Sequence, residues 1–429
     1  MKKIYYITAV FATLFLVGCG DGIDLPGVNV ETDLNKIPLP DNNVNLEQVE
    51  LKPSTEPMLH EGLHTEEDFQ RIRDKKAAGE EPWVSAYQLL VESQFSQKTA
   101  DTYPTEWIKR GISGDENYMN AARGATIVYQ QALRWKIEQD DEYAAKAVEN
   151  LNKWVQTCVG VTGNTNLSLA AGLYGYEFAI AGELLRDYGG WDRADFAAFQ
   201  NWLLKVFYPD DFLKRHHDTN ALHYWANWCL CNIAAKMAIG IVTDRRDIYN
   251  EGIAHLQTGD TNGRLRRAIY HDYAPDYNFA QWQESGRDQG HTLMCVGLMG
   301  IICQLAWSQG DDFFAYDDNL FLRACEYAAC CNYTNETVPY TTYIWQKQSQ
   351  WGYPIPEEQT TLGGGKWIKR AIWALPYYHY KGIKNISDDN LKYTKIATEY
   401  VGIEGGGGYY DANSGGYDVL GLGTLMYAQ

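Results

Sequence analysis

The chain has 429 residues, 45% of them hydrophobic, and its 37 Lys and Arg face 55 Asp and Glu, a formal charge of −18. Neutralising phosphates takes an excess of Lys and Arg, so this balance argues against a nucleic-acid partner. The length allows one large domain or two, and an anionic ligand would need a local basic site.

At the amino terminus, Lys2 and Lys3 precede an apolar run from Ile4 to Val17, too short to span a bilayer as a mature helix. The run ends in Leu16-Val17-Gly18-Cys19, which resembles a bacterial lipobox. Residues 1–18 then read as a signal peptide and Cys19 as the lipidated first residue of the mature chain, whose charge falls from −18 to −20 with the loss of Lys2 and Lys3. The expected location is a lipid-anchored envelope protein of a bacterium, on the periplasmic face or the cell surface of the outer membrane. An ordinary secretory signal is the alternative. Residues 19–57 hold five of the thirteen prolines, with many Asn and Asp, and cannot bury enough surface to fold. They read as a flexible tether. No second linker follows, so 58–429 is expected to be a single domain, and a monomer.

Helix then follows helix. Thr65-Glu66-Glu67-Asp68 has the form of a capping box, Gly79 stops the helix it opens, and Pro82 starts another. Further helical periodicity falls at about 118–138, 142–157, 167–187, 192–206, 221–242, 245–257, 289–308, 318–331, 366–380 and 390–400. Strand-like alternation is nearly absent. ANWCLCNIAAKMAIGIV and TLMCVGLMGIICQLAW are apolar on most faces, whereas RRDIYNEGIAHLQ and DEYAAKAVENLNKWVQ are amphipathic. A helix apolar all round is buried and an amphipathic one covers it. An inner and an outer ring of helices, an all-α toroid with no sizeable β domain, satisfies both.

Cys19 takes one of nine cysteines. The rest lie mainly in apolar helical stretches, none with C-x-x-C spacing, so small buried thiols are expected, with a disulfide still open, and neither a metal nor a cofactor.

Four polar clusters adjoin apolar helices. QWQESGRDQGHT brings Trp282, Gln283, Glu284, Arg287, Asp288 and His291 directly before one of them. Arg287 offers a two-pronged donor suited to a carboxylate, although an ion-pair network capping the helix would use the same residues. HHDTNALHYWANW offers His216, His217, Asn220, His223, Tyr224 and Asn227; histidine is the natural general base or neutral polariser near pH 7. NGRLRRAIYHDYAPDY sets Arg264, Arg266 and Arg267 beside Tyr270, Tyr273 and Tyr277, and GNTNLSLAAGLYGY places Asn164 and Asn166 before another apolar run. Four such coincidences suggest one shared cavity.

HYWANWCLCNIAAKMAIG, QWQESGRDQGHT, AWSQGDDFFAYDDNLFLRACEYAACCN and VPY resemble the alginate-lyase superfamily, more narrowly polysaccharide lyase family 38, and HEGLHTEEDFQRIRDKKAAGEEPWVSAY is similar to that superfamily's opening. The resemblance spans roughly residues 58–380. It implies an α/α toroid that cleaves β-1,4-linked uronic-acid polymers, polymannuronate first and glucuronan next, by β-elimination. By that resemblance Tyr273 is the candidate acid, with base a second duty and Tyr270 and Tyr277 its rivals, and His223 is the neutraliser or alternative base. Asn166 and Arg267 bind the carboxylate. Arg287, His291 and Glu284 shape the next subsite with Asn220, Asn227 and Gln283, and Trp282 stacks on a sugar. Where a related lyase family has an NNHSYW-type motif this chain reads NALHYW, so Asn220 matches the first asparagine and His223 is shifted by one. A uronide hydrolase on the same scaffold and a non-catalytic surface glycan binder are the alternatives. The partner in each case is an acidic polysaccharide.

Overall fold

A computed structural model describes residues 55–208, 222–348, 353–407 and 417–429, all within one compact unit, Pro38–Gln429. The signal peptide, Cys19 and nearly all of the tether lie outside the described residues, as do His216, His217 and Asn220.

Helix α1 (Glu66–Ala78) begins on the expected capping box: the Thr65 hydroxyl accepts from the Asp68 N–H at 3.2 Å, and the Asp68 carboxylate accepts from the Thr65 N–H at 2.9 Å. Gly79, at φ 72°, closes it in the left-handed region. Helix α2 (Trp83–Glu92) follows Pro82. Next come α3 (Tyr118–Glu138), α4 (Asp141–Thr157), α5 (Asn166–Leu184), α6 (Arg193–Val206), α7 (Ala226–Val242), α8 (Arg246–Thr258), the single turn α9 (Leu265–Ala268), α10 (Gln289–Ser308) and α11 (Tyr316–Tyr333).

Burial sorts them into two rings. Every residue of α5 from Leu167 to Leu184 is buried, as is all of α7 but Trp228. α4 instead buries Tyr143, Ala144, Ala147, Val148, Leu151 and Trp154, the spacing of one helical face. α3, α5, α7 and α10 pack side by side, while α4 lies on α3, α8 on α7 and α11 on α10. This is an α/α toroid. The inner helices approach closely: a Cβ on Gly172 of α5 would lie 2.5 Å from Cys231 Sγ of α7, so only glycine fits. All eight described cysteines are buried and outside any disulfide, as the small-thiol reading expects.

Three inner helices run parallel. Their carboxyl ends gather at one side: a Cβ on Gly62 would lie 3.7 Å from Glu183 Cγ of α5, Arg186 bonds the Val242 carbonyl of α7 at 2.9 Å, and Gln304 of α10 bonds the Leu63 carbonyl at 3.2 Å. Their amino ends, at residues 166, 226 and 289, therefore share the opposite side.

Strands number six among the described residues, in three two-stranded sheets: β1 (Trp107–Arg110) parallel to β2 (Gly160–Gly163), β3 (Ile269–Asp272) against β4 (Ala280–Trp282), and β5 (Tyr343–Gln348) against β6 (Pro354–Gln359). The helix expected over 366–380 is mostly irregular chain. Only Ala374–Tyr378 (α12) is α-helical, because buried Glu404 accepts from the Trp373 and Ala374 N–H groups at 2.7 and 2.8 Å and starts the helix there. After α13 (Lys392–Val401), residues 417–429, including α14 (Gly423–Tyr427), return into the body. Arg370 and Asp418 form a buried pair at 2.7 Å, and Arg71 of α1 bonds the Met426 carbonyl at 2.8 Å.

Candidate active site

The amino ends of α7 and α10 are built by each other's neighbourhood. α7 has no cap of its own; Trp225 precedes it. Gln283 Oε1 accepts from the Ala226 N–H at 3.0 Å, and Glu284 Oε1 accepts from the Asn227 N–H at 3.1 Å and from its Nδ2 at 2.5 Å. These bonds satisfy donors that every helix start leaves open. Trp282, Gln283, Glu284 and Asn227 are all buried, and the Trp282 indole N–H bonds the Ala324 carbonyl at 2.9 Å. The expectation that Trp282 stacks on a sugar and that Gln283 and Glu284 line a subsite gives way here: the oxygens of those two hold the start of α7, and the Trp282 ring is wholly buried.

The second half of the stretch stays accessible. Asp288 caps α10, its carboxylate accepting from the His291 N–H at 2.8 Å and meeting His291 Nδ1 at 2.6 Å. Burial would raise the Asp288 pKa, but its bonds to His291 and the attraction of that ring outweigh this and bring it below the ordinary value. Arg287 lies 3.4 Å from Glu284 and over the Trp225 ring at 5.2 Å, with 27% of its side chain exposed. Arg287 and His291 are thus the two members of this stretch that can meet a carboxylate.

His223 stands just before α7, half-buried. Its Nδ1 lies 3.0 Å from the Gln346 backbone carbonyl. A carbonyl only accepts, so Nδ1 carries the proton and, in the neutral ring, Nε2 keeps its lone pair. Burial lowers the His223 pKa from 6.5, partly offset by that bond, so the ring is neutral at pH 7. The side chain stacks on Trp345 at 5.6 Å, and Trp345 stacks on Trp225 at 4.6 Å.

The tyrosines are distinguished by their partners. Tyr273 donates to Gln281 Oε1 at 2.5 Å and meets Thr341 Oγ1 at 3.1 Å. Tyr270, at the irregular register of β3, packs against Tyr343 at 5.0 Å, and its hydroxyl bonds no described residue. Burial raises both phenols above 10. Tyr277 is exposed, beside Phe279. Thr341, two residues before β5, and Tyr343 and Trp345 on it are spaced two apart, so Tyr273, Tyr270 and His223 follow one another beside them.

The basic run is divided. Arg266 is buried and paired with Asp317, while Arg267, half-buried, bonds the Asp260 carbonyl; burial, then neighbouring Arg264, lowers its pKa. Asn166 sits in the first turn of α5, its N–H and Nδ2 both 2.9 Å from Asn164 Oδ1. Among the residues at this end that the sequence reading did not single out are Trp225, Thr341, Tyr343, Trp345 and Gln346. Trp225 lies inside a quoted motif, whereas Trp345 and Gln346 gave no local signal.

An α/α toroid with His223, Arg287, His291 and Asn166 at the amino ends of its inner helices has the architecture of a polysaccharide lyase. The sequence profile of the alginate lyase family matches residues 73–336, more than half of the chain, and the protein belongs to that family. Its fold is similar to that of an alginate lyase from Bacteroides ovatus, at 13% identity and a TM-score of 0.53 over 85% of this chain and 98% of that one. It is similar too to a histidine-to-alanine variant of alginate lyase A1-III of Sphingomonas species A1, at 13% identity and a TM-score of 0.53 over 90% and 98%. The tetrasaccharide complex of that variant gives 13% and 0.52 over 81% and 92%. No curated protein sequence matches the chain.

Proposed function

We propose that this lyase cleaves polymannuronate, the β-1,4-linked mannuronate polymer of alginate, by β-elimination, leaving a 4,5-unsaturated uronate at the new end. Family 38 is the narrower group whose motifs the chain resembles. The observation that carries the reading is His223: a neutral imidazole whose Nε2 bonds no described residue stands at the same end of the toroid as Arg287, His291 and Asn166.

The carbon 5 proton of a uronate is removable only when the adjacent carboxylate is neutralised. Asn166 and Arg267 supply donors for that purpose, and Arg287 and His291 hold the neighbouring unit. Fixed donors aimed at developing charge are the strongest single contribution such a site makes. In this reading His223 Nε2 takes the proton, since a ring with its proton on Nδ1 cannot also donate from Nε2 to the carboxylate. The C4–O bond breaks as the C4–C5 double bond forms, and Tyr273 protonates the departing oxygen. Tyr273 is preferred because two polar partners already hold its hydroxyl; Tyr270 is the alternative.

The test is ultraviolet absorbance of the conjugated double bond across polymannuronate, polyguluronate, glucuronan and hyaluronan. The reading expects the fastest rise on polymannuronate. No rise on any polyuronate would defeat it, and loss of absorbance from unsaturated oligouronides would point to a hydrolase. Tyr273→Phe should abolish the rise with the melting temperature unchanged, while Tyr270→Phe retains most of it; the reverse pattern would move the acid to Tyr270. The envelope location is proposed from the leader alone, and retention of Cys19→Ala in the membrane fraction would count against it.

A further inference from the structure

The histidine that removes the proton stands before α7, yet the bonds that orient its ring come from a strand more than a hundred residues away. We infer that Trp345 and the Gln346 backbone carbonyl, on β5, are the device that fixes the tautomer and the aim of His223, with Trp345 as its positioning residue. This rests on the base assignment proposed above and adds to it a determinant outside every motif that the sequence displays.

Three contacts define the device. The Trp345 indole N–H donates to the His223 carbonyl at 2.8 Å and anchors the backbone. The Trp345 ring lies on the imidazole at 5.6 Å and 27°, which sets the ring plane. The Gln346 carbonyl accepts a hydrogen bond from Nδ1–H at 3.0 Å, so Nε2 is left to act. The far side of Trp345 rests on Trp225 at 4.6 Å and 18°, and Arg287 closes the column over Trp225 at 5.2 Å. The column ties the stretch before α7 to the stretch before α10 through a residue that belongs to neither. Among the described residues, the titratable group beside the imidazole is Tyr224, edge-on at 5.0 Å, and Arg287 is separated from it by two indoles. Among the described residues, then, the ring's orientation depends on packing and on one carbonyl, and no carboxylate bonds it.

The experiment is ring 15N spectroscopy of the full chain, with the His223 signal assigned as the one lost in His223→Gln, combined with kinetics on polymannuronate. The wild type should show the Nδ1–H tautomer. Trp345→Leu should mix the tautomers and lower kcat by on the order of 10- to 100-fold, because a catalytic group displaced by about 1 Å costs that much, while KM stays within about threefold. Trp345→Phe keeps the stack, loses the indole bond and should fall between. A wild-type ring protonated on Nε2, or an unchanged spectrum with unchanged kcat in Trp345→Leu, would overturn the positioning role. A fully active His223→Ala would instead sink the base assignment, whatever the spectra show. Unchanged far-ultraviolet circular dichroism and melting separate both results from misfolding.

Discussion

The stretches before α7 and α10 look alike, each a polar segment of mixed Asn, Gln, His, Glu or Asp and Trp running into an apolar helix. They use their polar groups in opposite ways. Before α10 most of the polarity is structural: Gln283 and Glu284 complete the start of α7, and Asp288 completes α10. Before α7, among the described residues, His223 makes one bond through Nδ1 and none through Nε2, while its helix borrows its caps from elsewhere. A dense cluster of ionisable residues therefore marks a site without saying which members face it. Exposure decides that, and it leaves Arg287 and His291 on one side and His223 on the other.

Exchanging these roles by mutation would break the comparison. The largest effect is expected at His223→Ala, where losing a positioned base should cost about 10²- to 10⁴-fold in kcat with little change in melting; a rise in KM alone would reduce His223 to a binding group. Glu284→Ala should do the opposite. It strands the buried Asn227 donors and removes one partner of Arg287, so thermal or urea unfolding should show a loss of about 3 kcal/mol. Unchanged stability with lost activity would return Glu284 to the substrate. Asp288→Ala removes a single cap and should cost about 1 kcal/mol, again read by melting.

The subtlest effect is on pH. His223 must be unprotonated to act, and burial places its pKa below 6.5, so kcat/KM should fall only as pH drops through that lowered value. Above it the profile should stay flat until the tyrosine, raised above 10 by burial, gives up its proton. An acid limb centred above 6.5 would contradict the neutral histidine.

Much of the architecture was legible because inner and outer helices differ in periodicity. The runs at 118–138 and 289–308 were read to the residue, as strong apolar patterns bounded by an acidic or polar cap allow. The run at 366–380 was not, because a carboxylate from residue 404 decides where that helix starts. The β5–β6 hairpin was invisible for a related reason. β6 reads PIPEEQ, with two prolines and no alternation, and only pairing with β5 makes it a strand. In the site, residue types were readable and partners were not. Nothing near Trp345 announces that its ring will lie on a histidine at 223, and nothing in QWQES says that its acceptors belong to another helix.

The return of residues 417–429 into the body has a consequence for how the chain is made. The Met426 carbonyl closes on Arg71, and Tyr427 packs its ring 5.6 Å from His64. Contacts that join positions more than 350 residues apart cannot form while the carboxyl-terminal stretch is still in the ribosome. Such long-range closure is slow. Until it happens α1 lacks its contact with α14, so the fold can be completed only after residues 417–429 have been made.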